Sequence, residues 1–154
     1  MALVILLIAM TLFIDIEQKK GGTLAELFTK YGKDYDIPPN LLKAIAKVES
    51  DFNPKAINVN VNLSRDLGLM QINSKNLAKL GLNEQTAFDP EQSIRAASSL
   101  LKSIKHELGN LFSTMYWISA YNQGSHRTLR EGIVNLAYTS KVFFYYSIYG
   151  GNNV

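Results

Sequence analysis

Proline constrains this chain more than any other residue type. There are four in 154 residues: Pro38, Pro39, Pro54 and Pro90. Proline can open a helix but cannot sit inside one, because it lacks the N–H and its ring clashes with the preceding turn. Helical stretches must therefore fall between these positions. Pro38-Pro39 introduces a helix expected to run to about Asp51, with Leu41, Leu42, Ile45, Val48 and Phe52 on one face. Asn53-Pro54 stops it. Asp89-Pro90-Glu91-Gln92 is a second start, with Asp as N-cap and acid in the first turn. Its apolar stripe is Ile94, Ala97, Leu101, Ile104 and Leu108, closed by Gly109.

The other segments follow from capping and periodicity. Thr23-Leu24-Ala25-Glu26 is a capping box, predicting a helix of ~10 residues that ends near Gly32. Residues 53–68 are rich in Asn and read as a long loop or a small β-hairpin around Ile57 to Leu63. Such a stretch inside a compact domain is often functional. Ser74 is expected to cap a short helix to about Leu80, ended by Gly81. Ser113 to Tyr121 reads as a buried helix carrying Trp117, and His126 to Glu131 as a short helical turn. Ile133 to Tyr149 reads as a last helix, whose aromatic residues are expected to be core. The tail from Gly150 to Val154 reads as frayed coil. The fold class is mainly α, one domain over residues 21–150, with no internal repeat.

Composition narrows the function. The chain is 47% hydrophobic and 19% charged, which excludes a disordered or collagen-like class. The net charge is +3, which suits an anionic polymer, but the basic residues are scattered and make no nucleic-acid patch. There is no cysteine, so thiol nucleophiles and Cys-based zinc sites are excluded. His106 and His126 are isolated and no HExxH occurs, so no metal or cofactor is expected. Residues 1–14 are apolar except Thr11. As a helix they would span roughly 21 Å, short of the ~30 Å hydrocarbon core. Residues 1–20 are therefore read as a signal peptide or an N-terminal hydrophobic anchor within residues 1–16, implying a periplasmic or exported protein.

Glu49 is the first candidate for chemistry. It follows Leu42 by seven residues and Ile45 by four, on an apolar flank in the last turn of its helix. Desolvation and the helix dipole both raise a carboxyl pKa there, as a general acid requires. The position also fits a solvated glutamate beside Lys47. Asp66 lies 17 residues downstream, where a loop exit could set it across a cleft from Glu49. Two carboxylates across a cleft suit glycosidic bonds. A turn aspartate bonded to its own backbone fits equally. Ser64, Gln71 and Asn73 could bind sugar hydroxyls, and Tyr121 and Asn122 at a helix end could cover a sugar face and read an amide.

Four segments then occur in a familiar order: Ala44 to Pro54 (AIAKVESDFNP), Asp66 to Ser74 (DLGLMQINS), Ala120 to Gly124 (AYNQG) and Tyr138 to Val142 (YTSKV). Together they resemble the soluble lytic transglycosylase family, which has a lysozyme-like fold. The spelling is most similar to the small members attached to type III and type IV secretion, pilus and conjugation systems. The resemblance implies a goose-type lysozyme or lytic transglycosylase fold and, as substrate, the β-1,4 bond between N-acetylmuramic acid and N-acetylglucosamine in peptidoglycan. It implies that Glu49 is the acid/base and that Gly68, Met70 and Gln71 line the cleft. It also implies that Tyr121 and Asn122 sit at the sugar sites, that Tyr138 faces Glu49, and that Ser64 stands on the cleft lip. The implied product is 1,6-anhydromuramic acid. For the acid itself, Trp117 and Met70 are expected to keep the pocket dry enough to hold a raised pKa.

The chain departs from the general pattern at residues 55–67, which are longer than in most members, and at Asp66, which lysozymes place similarly as a second carboxylate. Hydrolysis using Asp66, and a non-catalytic wall-binding assembly protein, are the rival expectations. The implied partners are glycan strands and a secretion, pilus or conjugation machine, the wall being opened locally for such a machine or for a phage.

Overall fold

Thr23 starts the first helix of the described residues, as its sequence predicts. The Thr23 N–H donates to the Glu26 carboxylate at 2.7 Å, and the Glu26 N–H donates back to the Thr23 hydroxyl at 3.3 Å. The computed structural model describes residues 22–109 and 112–151. Helix α1 spans Leu24–Tyr35, so Gly32 does not end it. Gly32 is instead a close-packing point, because a Cβ there would meet Ile37 O at 2.7 Å and Pro39 Cγ at 2.8 Å. Helix α2, Pro39–Ser50, begins on its prolines and buries Leu41, Leu42 and Ile45 completely. Val48 and Phe52, the rest of the expected stripe, pack against the core while partly exposed.

The irregular segment holds more order than its sequence suggests. It forms a three-stranded antiparallel sheet of β1 (Ile57–Val59), β2 (Arg65–Leu67) and β3 (Ile72–Asn73), in that order. The hairpin turn covers residues 60–64, so the return strand starts beyond the expected Leu63. Asp66 is consequently a strand residue, paired with Asn58 on one side and Asn73 on the other. Strands of two or three residues are too short to show a period in the sequence. The expected helix after Ser74 is replaced by two 3-10 turns, Ser74–Asn76 and Ala78–Leu80, ended by Gly81. Asn73, not Ser74, is the cap, accepting from the Lys75 N–H, while the Ser74 hydroxyl accepts from the Arg65 N–H and ties the turn to the sheet.

A further 3-10 turn, Thr86–Phe88, leads to α3, Pro90–Leu108. Its predicted cap forms, with Asp89 accepting from the Gln92 N–H at 2.8 Å. All five residues of its predicted stripe are buried. Helices α4 (Thr114–Gln123), α5 (Ser125–Glu131) and α6 (Leu136–Ile148) complete the described chain. The last begins three residues later than expected, because Asn135 caps it. Its aromatics divide: Tyr146 is buried, Phe143, Tyr145 and Tyr149 are partly buried, and Phe144 is 59% exposed. At the tail, the Gly151 N–H is held by Tyr146 O at 2.9 Å, and residues 152–154 lie outside the described chain.

Helix α3 packs on α1 and α4, and α6 packs on α2 and α4. Ile45, Leu69, Met70, Ile94, Leu101, Ile118 and Val142 meet in one core. This is the mainly helical architecture expected, with a small sheet after the second helix. The proposed leader in residues 1–20 falls outside the described residues. No helix of the described residues is long and apolar enough to cross a membrane.

Candidate active site

Glu49 occupies the last turn of α2, and the chain bends sharply behind it. Asp51 and Phe52 both take left-handed backbone, with φ 53° and 63°. The Ser50 hydroxyl donates to Leu69 O at 2.7 Å and ties this helix end to the turn after β2. That turn is fixed from three sides. The Gly68 N–H donates to Ala56 O at 2.9 Å, the Met70 N–H to the Ser93 hydroxyl at 3.2 Å, and the Tyr121 hydroxyl to Met70 O at 2.8 Å. The Gln71 amide donates to Gly68 O at 2.9 Å.

Asp66 is held from both sides by amides. Asn73 Nδ2 donates to Oδ1 at 2.7 Å and Asn60 Nδ2 to Oδ2 at 2.9 Å. Both amides also reach the Ser64 hydroxyl, at 3.0 and 3.1 Å, and that hydroxyl donates to Asn62 Oδ1 at 2.7 Å. Each carboxylate oxygen thus receives a donor from a rigid strand or turn, which sets its orientation. The cross-strand pair Asp66–Asn73 makes this possible, since paired residues in an antiparallel sheet project on one face.

Tyr138 comes from α6, 89 residues away, and donates its hydroxyl to Glu49 Oε1 at 2.6 Å. The start of α6 is set by α4. Gln123 accepts the N–H groups of Val134 and Asn135, at 3.1 and 3.3 Å, and donates to Gly132 O at 2.7 Å. Asn135 in turn caps Tyr138 and donates to Asn122 Oδ1 at 3.1 Å.

Burial pushes the Glu49 carboxyl up from 4.5 to about 7; the Tyr138 hydrogen bond pulls it down, and the negative charge of Asp66 pushes it up again. Burial, then the charge of Glu49, holds the hydroxyls of Tyr121 and Tyr138 well above the usual tyrosine range, so both remain donors. The site therefore offers an acid that is half protonated near neutrality, positioned by a neutral donor. In a Tyr138→Phe variant the loss of that hydrogen bond removes the one lowering influence. The pH at which Glu49 gives up its proton is then expected to move upward, measured as the alkaline limb of the pH–rate profile. A limb that stays in place would detach Tyr138 from the acid.

Glu49, Ser64, Asp66, Gln71, Asn73, Tyr121 and Asn122 all line one cleft. It consists of two cavities of about 730 and 740 Å³ that share Glu49, Asn60, Asp66, Gln71 and Asn122. Gly68 and Met70 lie buried beneath it and shape it through their backbone. Trp117 is placed elsewhere. It lines a separate groove with Gly32, Ile37, Pro38 and Lys105, whose ammonium stands 5.3 Å from the ring centre. One turn before Tyr121, α4 has already left the cleft and faces the α1–α2 connection. Trp117 therefore cannot dry the pocket, and Met70 does so only from below; Leu100 and Ile104 of α3 form the apolar wall. The sequence reading also missed Asn60 and Asn62 as individual site residues, although the Asn-rich run around them was the available signal.

Comparison with known proteins agrees with this geometry. The family described as Transglycosylase SLT domain matches residues 26–139. Protein IpgF of Shigella flexneri is 43% identical over 110 residues, covering 66% of this chain and 67% of that protein. Invasion protein IagB of Salmonella typhimurium is 38% identical over 105 residues, covering 66% of this chain and 64% of its own. The crystal structure of the 70 kDa soluble lytic transglycosylase of Escherichia coli superposes with a TM-score of 0.69 at 25% identity. That match covers 80% of this chain but only 23% of the larger one, so this chain spans about a quarter of that protein's length.

Proposed function

Because this chain belongs to the Transglycosylase SLT domain family, a family of lytic transglycosylases, we propose that it cleaves the β-1,4 bond between N-acetylmuramic acid and N-acetylglucosamine in peptidoglycan and leaves a 1,6-anhydromuramic end. The observation that carries this reading is a carboxyl group at Glu49 with a pKa of about 7, bonded to Tyr138 in a cleft that also holds Asp66.

Protonated Glu49 donates its proton to the bridging oxygen, and the bond from that oxygen to C1 of the muramic residue breaks. Positive charge develops on C1 and the ring oxygen, and the carboxylate of Asp66 stabilises it. The C6 hydroxyl of the same sugar attacks C1, and its proton passes to Glu49, which is ready for the next cycle. No water is consumed, so the two products together have the composition of the substrate. Tyr121 and Asn122 hold the sugars, with Ser64, Gln71 and Asn73 around the cleft. Since the reaction needs protonated Glu49, the rate is expected to hold on the acid side and fall as pH rises through about 7.

Mass spectrometry of digested sacculi tests the product. Anhydro ends, lighter by one water than reducing ends, support the lyase. Reducing ends would instead support hydrolysis, the second reading, which the presence of Asp66 in the same cleft favours. We further place the protein at the wall, periplasmic or exported, opening it locally for a secretion, pilus or conjugation machine. The likeness to a protein named an invasion protein supports this role.

A further inference from the structure

We propose that one arm of the cleft recognises the acidic stem peptide carried by the muramic residue, and that Lys141 is the cation that binds its carboxylates. This inference rests on the wall-cleaving function proposed above and adds a substrate determinant to it.

The two arms on either side of Glu49 and Asp66 differ in chemistry. The first is lined by Asn62, Ser64, Asn73, Asn76 and Ser125, with Val61, Ile72, Leu100 and Ile104, and contains no lysine or arginine. Neutral hydroxyl and amide groups over an apolar floor suit the sugar rings themselves. The second arm contains Lys47 and Lys141, with Asp51 and Tyr145. Lys47 is already ion-paired with Asp51. Lys141 makes no ion pair among the described residues and is exposed. One lysine without an ion pair therefore stands in the second arm, beside the Glu49 and Asp66 carboxyls that both arms share, and no lysine or arginine stands in the first.

Its position is fixed by α6. Tyr138, Lys141 and Tyr145 follow at intervals of three and four residues, which places them along one helix face. Tyr138 is bonded to Glu49, so this face begins at the scissile bond. Lys141 stands one turn further along, roughly 4.5 Å by helical rise. Positive charge develops on the sugar during cleavage, and a bare lysine nearby would oppose it. A substrate anion on Lys141 removes that opposition. In a glycan strand with peptides attached, the muramic carboxyl is consumed in the amide bond, so the anions are the carboxylates of the peptide.

Binding can be separated from cleavage in the Glu49→Gln variant. Two probes are compared: glycan strands from sacculi, and the same strands with their peptide carboxylates converted to methylamides. The Glu49→Gln protein is expected to bind the untreated strands about fivefold more tightly, as a partly exposed ion pair allows, and the preference should shrink at high salt. Adding Lys141→Ala should bring the ratio to near one, and Lys141→Arg should preserve it. Equal binding of both strands by the Glu49→Gln protein, or a preference that survives Lys141→Ala, overturns the inference. Loss of the wall-cleaving reading has a different signature, namely an unsubstituted protein that binds strands but releases no muropeptides.

Discussion

Glu49→Gln is expected to reduce cleavage of wall glycan by about 10³-fold, in the range a general acid contributes, and at the same time to stabilise the protein above neutral pH. Both effects come from one burial. The folded carboxyl titrates at about 7 against 4.5 for a solvated one. Between those values the folded state keeps a proton that the unfolded state has released. Stability therefore falls as pH rises from about 4.5 to 7, by up to about 3 kcal/mol once the group is ionised. Glutamine keeps the shape and an oxygen for the Tyr138 hydroxyl without the charge. At pH 8 the variant should melt roughly 10 °C higher than the unsubstituted protein, the gap closing near pH 4.5. Thermal melts across pH and a turbidity assay on sacculi give the two readouts. A variant that still clears sacculi, or a melting gap independent of pH, would show that Glu49 is not the buried acid described.

Gly68→Ala should produce the largest loss of stability of any single methyl group added to the cleft floor. Gly68 has φ 75°, and a Cβ there would sit 2.1 Å from Ala87 O. A clash with backbone cannot be relieved by a rotamer change, so the turn before Met70 must move away from the 3-10 turn Thr86–Phe88. Left-handed strain and overpacking together cost about 3 kcal/mol or more, a fall of roughly 10 °C in melting temperature. Gly124→Ala isolates the two contributions. Gly124 has φ 88° but nothing within 4 Å of a Cβ, so it should lose only the backbone strain, about 1–2 kcal/mol. Equal losses at the two glycines would refute the steric account.

The parts of this protein that were legible in its sequence are local. The capping box at Thr23, the proline starts of α2 and α3, the Asp89 cap and the apolar stripe of α3 each depend on residues within about two turns of one another, where backbone geometry dictates which side chains meet. Glu49 could be nominated for the same reason, from its place on an apolar flank, and the four ordered segments pointed to the family. The sheet was half legible. Its Asn-rich hairpin was suspected, but β3 has only two residues and carries no period.

Gly32 and Trp117 show where local reasoning fails. Glycine near the end of a periodic run is an ordinary stop signal, yet Gly32 continues its helix because Pro39 packs against it. Trp117 shares α4 with Tyr121, yet one helical turn puts it in a different groove, and which groove depends on the α1–α2 connection that it meets.

The sequence alone therefore determined most of the helices, the caps at Thr23 and Asp89, the family and the nomination of Glu49, because each is written in residues close together or in an ordered set of motifs. Only the tertiary structure decided what surrounds that acid. The hydroxyl of Tyr138 reaches it across 89 residues of chain, and Asn60 and Asn73 orient Asp66 beside it through a sheet register that strands of two or three residues cannot announce. The asymmetry of the cleft, with Lys141 in one arm and amides in the other, likewise exists only once α6 is packed against α2. Electrostatics depends on distance in space, and distance in space between remote residues is set by packing of the core rather than by any neighbourhood in the chain.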